Sequence, residues 1–281
     1  MIHSIRNMEI ALVYLVAGLS SRFGGKIKQF AQVGPNNETL IEYSLNQALP
    51  AGFTKIVFIV GEKTITPFSE KFGSEYQGIP IHYALQTFDP EKRDRPWGTC
   101  DAVCYALPFL NCPFVVCAGD DLYGSSTFQT LVNHLKESED EATIGYALEN
   151  VIPEEGGVNR GIFYAENNFV IEIRETYNIK KNNLKEQNLS KNDLCSMLIF
   201  ALHQKTLEFL NKNLDNFKIK NQESRTAECM LPNELSQLIP EKKIKMKVYP
   251  SQEHWYGVTN PEDEQIIKDK ILYFSTGKNT K

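Results

Sequence analysis

Residues 15–25 read Leu-Val-Ala-Gly-Leu-Ser-Ser-Arg-Phe-Gly-Gly, an apolar run that gives way to small residues around one arginine. Small residues such as Ala17, Gly18, Ser20 and Ser21 let backbone N–H groups come close to a triphosphate, and Arg22 supplies planar charged donors for phosphate oxygens. Lys28, six residues further on, adds a second positive charge. Two common phosphate loops are excluded, because neither G-x-G-x-x-G nor G-x-x-x-x-G-K-[ST] follows the run. On physics alone this stretch reads equally as a structural turn. A second apolar run, Val115 to Ala118, delivers Asp120 and Asp121 just past its end. In an open α/β sheet that is where ligands gather, although paired aspartates also close ordinary turns.

The elements that must position these residues are legible from hydrophobic period. Runs rich in Val, Ile and Phe alternate with helix-period segments through the first half, the signature of a parallel sheet covered on both faces. Strands are predicted at Glu9 to Ala17, Lys55 to Gly61, Ile81 to Leu85 and Phe114 to Ala118. Helices are predicted at Leu40 to Leu49, Ile65 to Phe72, Thr99 to Leu107 and Ser126 to Lys136, the last with Ser125 or Ser126 as N-cap. From Thr143 the pattern changes to shorter strands, at Thr143 to Leu148, Arg160 to Ala165, Val170 to Arg174 and Ser196 to Ala201. Tyr177 to Asp193, rich in Lys and Asn, reads as a surface loop or lid. Helices at Lys205 to Leu214 and Ala227 to Leu238, a strand at Lys245 to Tyr249 and a closing helix from Pro261 to Phe274 complete the chain. With no repeat and no linker, the expectation is one domain over residues 1–281, with a nucleotide-binding half at about 8–140 and an acceptor half at about 141–275.

Four segments, in order along the chain, resemble the nucleotidyltransferase superfamily that includes the sugar-1-phosphate nucleotidylyltransferases. The turn at 16–22 is similar to A-A-G-x-G-[ST]-R with Lys28-Gln29 as its downstream pair; Val16 and Ser20 depart from that form. Pro96 to Val103 resembles G-T-x-x-A-[VM], which in the family lies against the nucleobase. A glycine and a small hydroxyl at Gly98 and Thr99 leave room for a flat base and offer N–H and O–H groups to its edge, while a plain helix start capped by Thr99 is the alternative. Gln86 resembles the family glutamine that reads the base through its amide. Val115 to Gly124 is similar to L-x-G-D-x-x-Y-G, which implies that Asp120 is a ligand for Mg²⁺, with Asp121 assisting or only capping the turn. His254 to Asp263 resembles G-V-[TN]-x-x-x-D, where Thr259 or Asn260 would complete the metal shell, or Asn260 and Asp263 would form a helix cap.

The same resemblance places Gly161 and Glu175 against the acceptor. The family's E-K-P lysine is absent, which leaves Arg174 and Lys180 as candidates for its phosphate-holding role. The fold implied is a Rossmann-like three-layer sandwich with a central, mostly parallel mixed sheet. The reaction implied is transfer of a nucleoside monophosphate from an NTP to a phosphorylated small molecule, a sugar 1-phosphate in particular, with release of pyrophosphate. Arg22, Lys28 and Asp120 would be the catalytic set. The Ser20-Ser21-Arg22 form also resembles cytidylyltransferases, so a non-sugar acceptor such as phosphocholine is a second reading. A glycosyltransferase or a non-catalytic NDP-sugar-binding protein is a third.

Composition bounds the remaining classes. A net charge of -5 argues against a nucleic-acid partner, which calls for a basic face. The apolar run Ile10 to Ala17 is far shorter than the roughly 20 residues of a membrane span and lacks a cleavage site, so no membrane association and a cytoplasmic location are expected. The 6 cysteines form no CxxC pair and no zinc spacing and are read as reduced thiols, several of them within apolar runs. The oligomeric state, the base and the sugar have no signature in the sequence.

Overall fold

A computed structural model of the chain describes residues 8–18, 23–258 and 262–275. In chain order the strands are β1 (Ala11–Leu15), β2 (Lys55–Val60), β3 (Glu75–Tyr76), β4 (Ile79–Leu85), β5 (Phe114–Ala118), β6 (Asp121–Leu122), β7 (Glu141–Ala147), β8 (Val158–Glu166), β9 (Phe169–Ile179), β10 (Leu194–Leu202), β11 (Met246–Pro250) and β12 (Tyr256–Gly257). The helices are α1 (Leu40–Ala48), α2 (Ile65–Phe72), α3 (Thr99–Cys104), α4 (Ser125–Glu137), α5 (Leu148–Val151), α6 (Gln204–Lys220), α7 (Leu231–Leu238) and α8 (Asp263–Ser275).

Ten strands form one sheet in the order β3-β4-β2-β1-β5-β10-β7-β11-β9-β8, and β6 and β12 pair separately. Strands β4, β2, β1 and β5 run parallel, in keeping with the nearly continuous apolar character of β1, β2 and β5, and β10 enters antiparallel beside β5. Period-2 alternation divides each central strand between two cores. Leu12, Tyr14, Ile56 and Phe58 enter one core with Ile41, Phe68 and Phe128 from α1, α2 and α4. Ala11, Val13, Val57 and Ile59 enter the other with Val103, Leu210 and Leu235 from α3, α6 and α7. Helices on both faces of a mixed sheet give the three-layer sandwich read from the sequence. A smaller cluster of Phe23, Val33, Leu40, Leu122, Val258, Ile267 and Ile271 seats α8 over the segment that follows the first turn.

Several boundaries differ from the sequence reading, each for a local reason. Strand β9 runs on through Ile179, so the surface loop read at 177–193 begins only after it, and that turn-rich segment is anchored to the core by the buried Leu184 and Leu189. The N-cap of α4 is Gly124, at φ 83°, and the Ser126 N–H donates to Glu253 Oε1 at 3.1 Å, so a distant glutamate serves the helix end in place of a local serine. Helix α3 stops at Cys104 and is followed by a 3-10 turn at Leu107–Phe109, because Pro108 has no N–H to continue the helix's i→i−4 ladder. Residues 227–230 are not helical; they run beside the loop that leads into α3, as described below. All 6 cysteines are buried free thiols.

At the amino end of β7, Glu141 is buried and accepts the His203 N–H at 2.9 Å, faces His203 Nδ1 at 3.2 Å and accepts the Thr206 hydroxyl. The contact of the imidazole with the Glu141 carboxylate raises the His203 pKa against the opposing effect of burial. A histidine raised in the folded state contributes its full stabilisation below its unfolded value of about 6.5, and that contribution is lost as pH climbs through the folded value. His203→Gln is therefore expected to destabilise the protein more at about pH 6 than at about pH 9, measured by denaturant melts at both. An equal loss at the two pH values would show that the Glu141 pairing does not control His203.

Candidate active site

Parallel pairing puts the carboxyl ends of β1 and β5 side by side. Leu15 registers with Ala118, and the Gly119 N–H donates to Leu15 O at 3.0 Å, so Val16 to Gly18 and the segment carrying Asp120 leave the sheet side by side. The Lys28 ammonium rests on Asp120 Oδ2 in an ion pair whose two side chains are 22% and 24% exposed. The cation of the first turn's downstream pair and the strand-end carboxylate thus share one edge of the sheet. Gln29, beside Lys28, is buried behind this turn, and its Oε1 has no hydrogen-bond partner among the described residues.

A cleft of about 490 Å³ opens at this edge. Six of the residues singled out by sequence line it: Ala17, Gly18, Gln86, Gly98, Thr99 and Asp120. Arg22, Ser20, Ser21, Thr259 and Asn260 lie outside the described residues. Gly161 and Glu175 do not line the cleft; they sit opposite each other on the β8–β9 ladder. Burial raises the Glu175 carboxyl, and the nearby Arg160 opposes that effect. Arg174 faces away from Glu175 on the outer side of β9, paired with Glu172 at 2.7 Å and packed over the Tyr164 ring, as strand alternation dictates. Lys180 follows the end of β9 and is not among the cleft-lining residues. A larger cavity, about 620 Å³, lies at the opposite end of β7 and β10 around Glu141 and His203 and contains none of these residues.

One wall of the cleft has no sequence signature. Arg93, buried, lays its guanidinium 3.3 Å from the centre of the Trp97 ring and donates to the carbonyls of Ser224 at 2.7 Å and Ala227 at 2.5 Å. Arg225 pairs with Asp94, Arg95 pairs with Glu228 at 3.1 Å, and the Cys229 N–H donates to Trp97 O at 2.7 Å. The loop at 87–97, broken by Pro90 and Pro96, is therefore fastened to residues 224–230, and Arg95, Glu228 and Met230 join the lining. The charges at 93–95 are a signal that the loop has partners. Those partners lie about 130 residues away, beyond the reach of any local pattern.

At the mouth of α3, Gly98 is the N-cap, at φ 95°, and Thr99 does not cap its own helix. The Thr99 hydroxyl accepts the Leu231 N–H at 2.9 Å, which leaves its own proton available. Behind this turn, Gln86 Nε2 donates to Asp101 Oδ2 at 2.7 Å and to Gly98 O at 3.3 Å. Asp101 is 1% exposed, and Lys218 Nζ lies 2.6 Å from its Oδ1, a close ion pair outside good hydrogen-bond alignment.

Asp121 behaves differently from Asp120. It opens β6 opposite Gly257, its Oδ2 lies 3.2 Å from Tyr123 Oη, and burial followed by the charge of Asp120 pushes its pKa well up. The Tyr123 proton has a nearer acceptor in Met197 O at 2.8 Å. Lys28 and the Trp255 indole oppose this rise, although Trp255 Nε1 does not reach hydrogen-bond geometry. Of the pair, Asp120 is the carboxylate that lines the cleft. No group of three or more His, Cys, Asp or Glu side chains capable of holding a metal occurs among the described residues. A single hard carboxylate fits a divalent ion that takes most of its ligands from phosphates and water, and does not fit a closed all-protein site.

The family model for nucleotidyl transferases matches residues 25–263. The chain belongs to the nucleotidyl transferase family. No curated protein matches by sequence. Among solved structures, a UDP-glucose pyrophosphorylase complexed with UDP-glucose aligns at a TM-score of 0.65 and 16% identity, covering 96% of this chain and 100% of that one. The inositol-1-phosphate CTP transferase of T. maritima aligns at 0.63 and 16%, covering 94% and 96%. The CTP:phosphocholine cytidylyltransferase of Streptococcus pneumoniae aligns at 0.62 and 14%, covering 94% and 100%. At such identities these likenesses establish the shared fold. Within this nucleotidyl transferase, no helix among the described residues is long and apolar enough to cross a membrane.

Proposed function

We propose that this nucleotidyl transferase moves a nucleoside monophosphate from an NTP to a sugar 1-phosphate, forming an NDP-sugar and pyrophosphate. The observation that carries this reading is the Lys28–Asp120 pair at the rim of a cleft lined by Ala17, Gly18, Gln86, Gly98 and Thr99. An oxygen of the acceptor phosphate attacks the α-phosphorus in line; the new P–O bond forms as the bond to the β-phosphate oxygen breaks, and pyrophosphate leaves. That nucleophile is already an anion, so no general base is needed, and catalysis rests on positioning and charge neutralisation. Gly18 and the following turn cradle the triphosphate, Arg22 and Lys28 neutralise it, and Gln86, Gly98 and Thr99 seat the base. Asp120 would hold Mg²⁺, with Thr259 or Asn260 as second ligand; when bound, the ion supplies positive charge to the phosphate oxygens. Gly161 and Glu175 face the acceptor, where Glu175 accepts from its hydroxyls.

The deciding experiment is a pyrophosphate-release screen of four NTPs against several sugar 1-phosphates and phosphocholine. Release that requires both an NTP and a sugar 1-phosphate is expected. Release with phosphocholine alone would move the acceptor to the non-sugar class, a reading favoured by the Ser20-Ser21-Arg22 form and by the likeness to the phosphocholine enzyme. Tight NDP-sugar binding with no release for any pair would identify a binding protein instead. Lys28→Met is expected to lower kcat/KM for the NTP by about 10–100-fold, since it removes a cation from the phosphate site. An unchanged kcat/KM would remove Lys28 from the catalytic set.

A further inference from the structure

We infer that Asp101, held by Lys218, is a positioning residue that makes Gln86 an acceptor-only reader of the nucleobase, so that the cleft selects a base edge presenting an N–H at that point. The inference rests on the reading of the cleft as the NTP site and adds to it the polarity of the base contact.

A glutamine amide offers two N–H donors and one carbonyl acceptor, and which end faces a ligand is normally settled by its neighbours. Here the neighbours permit one answer. Gln86 Nε2 lies 2.7 Å from a carboxylate oxygen of Asp101 and 3.3 Å from the Gly98 carbonyl, and both are acceptors. Both amide protons are therefore committed inside the protein. The carbonyl is what Gln86, 6% exposed on the cleft wall, has left for a ligand.

Asp101 has no direct access to the cleft. It is 1% exposed and absent from the lining, yet it is a carboxylate at a position where an apolar side chain would fill the space without desolvating a charge. Lys218 reaches it from the last turn of α6, 34% exposed at its own end, and Arg93 adds a more distant positive charge. The Lys218 ammonium sits against one oxygen of the Asp101 carboxylate while the other oxygen faces the Gln86 amide, where a carboxylate oxygen accepts. The amide is thereby fixed from behind by a charge pair that never touches the substrate.

Uracil and cytosine discriminate the idea, because uracil carries a proton on N3 and cytosine does not. Equilibrium binding of UTP, CTP, ATP and GTP to the full-length protein is measured for wild type, Asp101→Asn and Lys218→Met. In Asp101→Asn the new amide can donate to the Gln86 carbonyl, so the Gln86 amide turns and presents its NH₂ group. Lys218→Met removes the cation that holds the Asp101 carboxylate behind Gln86 and so frees the amide to turn. Each variant is expected to shift the UTP-to-CTP affinity ratio by at least about 10-fold toward CTP. If wild type binds nucleotides but a folded variant weakens all four by one common factor, or leaves them unchanged, Asp101 is structural only and the inference falls while the cleft assignment stands. If wild type binds no nucleoside triphosphate, the cleft assignment itself falls. Should Asp101→Asn fail to fold, Lys218→Met tests the same pairing from its surface end.

Discussion

Asp120→Asn is expected to lower the rate of pyrophosphate release by at least about 10²-fold, a loss of roughly 2.7 kcal/mol of transition-state stabilisation. Asp120 is the carboxylate that leaves β5 into the cleft, partly exposed and already engaged by the Lys28 ammonium. An amide there still accepts one hydrogen bond but brings no negative charge for a divalent ion or for Lys28. Asp121 is the internal control. Burial and the neighbouring Asp120 charge push its pKa well up, so an amide at 121 resembles the protonated form that its surroundings favour. Asp121→Asn should therefore cost much less activity than Asp120→Asn. Steady-state kinetics with a coupled pyrophosphate assay decide the matter, and equal losses at the two positions would withdraw the metal-holding role from Asp120.

Gly98→Ala is expected to lower stability by about 3 kcal/mol, which for a chain of this size shifts Tm by roughly 6–10 °C. Gly98 sits at φ 95°, where an L side chain is strained, and an added Cβ would lie 2.6 Å from the carbonyl oxygen of Cys229. Backbone on both sides leaves no flexible group to yield. Gly78 separates the two costs, since its φ is 78° but an added Cβ there meets nothing within 4 Å. Gly78→Ala should lose about 1 kcal/mol from strain alone. Thermal melts of the two variants that coincide would show that the contact between α3 and residue 229 is loose. NTP affinity should fall with Gly98→Ala as well, because the same turn lines the cleft.

The middle of the sheet is legible in the sequence because β1, β2 and β5 are apolar almost throughout and bounded by clear breaks. Ile65 to Phe72 and Phe114 to Ala118 match the structure to the residue. The misplaced boundaries share a cause, namely partners remote in sequence. Ser125 and Ser126 have the chemistry of caps, but Glu253 supplies the acceptor. Residues 227–230 look helical beside α7, yet they are not helical, and Trp97 and Cys100 bond to Cys229 there. The polar run after Tyr177 hides two anchors, Leu184 and Leu189, spaced too widely to signal either helix or strand. Site residues follow the same division. Positions inside short motifs, Ala17, Gly18, Gly98, Thr99 and Asp120, come together in the cleft along with Gln86. The second wall, built by Arg93, Arg95, Arg225 and Glu228, depends on pairings that no local spacing encodes. Arg174, a candidate for holding the acceptor phosphate, lies on the face of β9 opposite Glu175, because side chains alternate along a strand, and it pairs there with Glu172.

The fastening of residues 93–97 to residues 224–229 also bears on synthesis at the ribosome. A nascent chain that has emerged only as far as α6 already contains β1, β2, β4 and β5. The Arg93 guanidinium would still lack the Ser224 and Ala227 carbonyls it serves in the finished protein, and Gly98 would have no Cys229 to pack against. Completion of the cleft therefore belongs to the last stage of translation, and a product ending before residue 224 would carry the strand-end segments of β1 and β5 without its second wall.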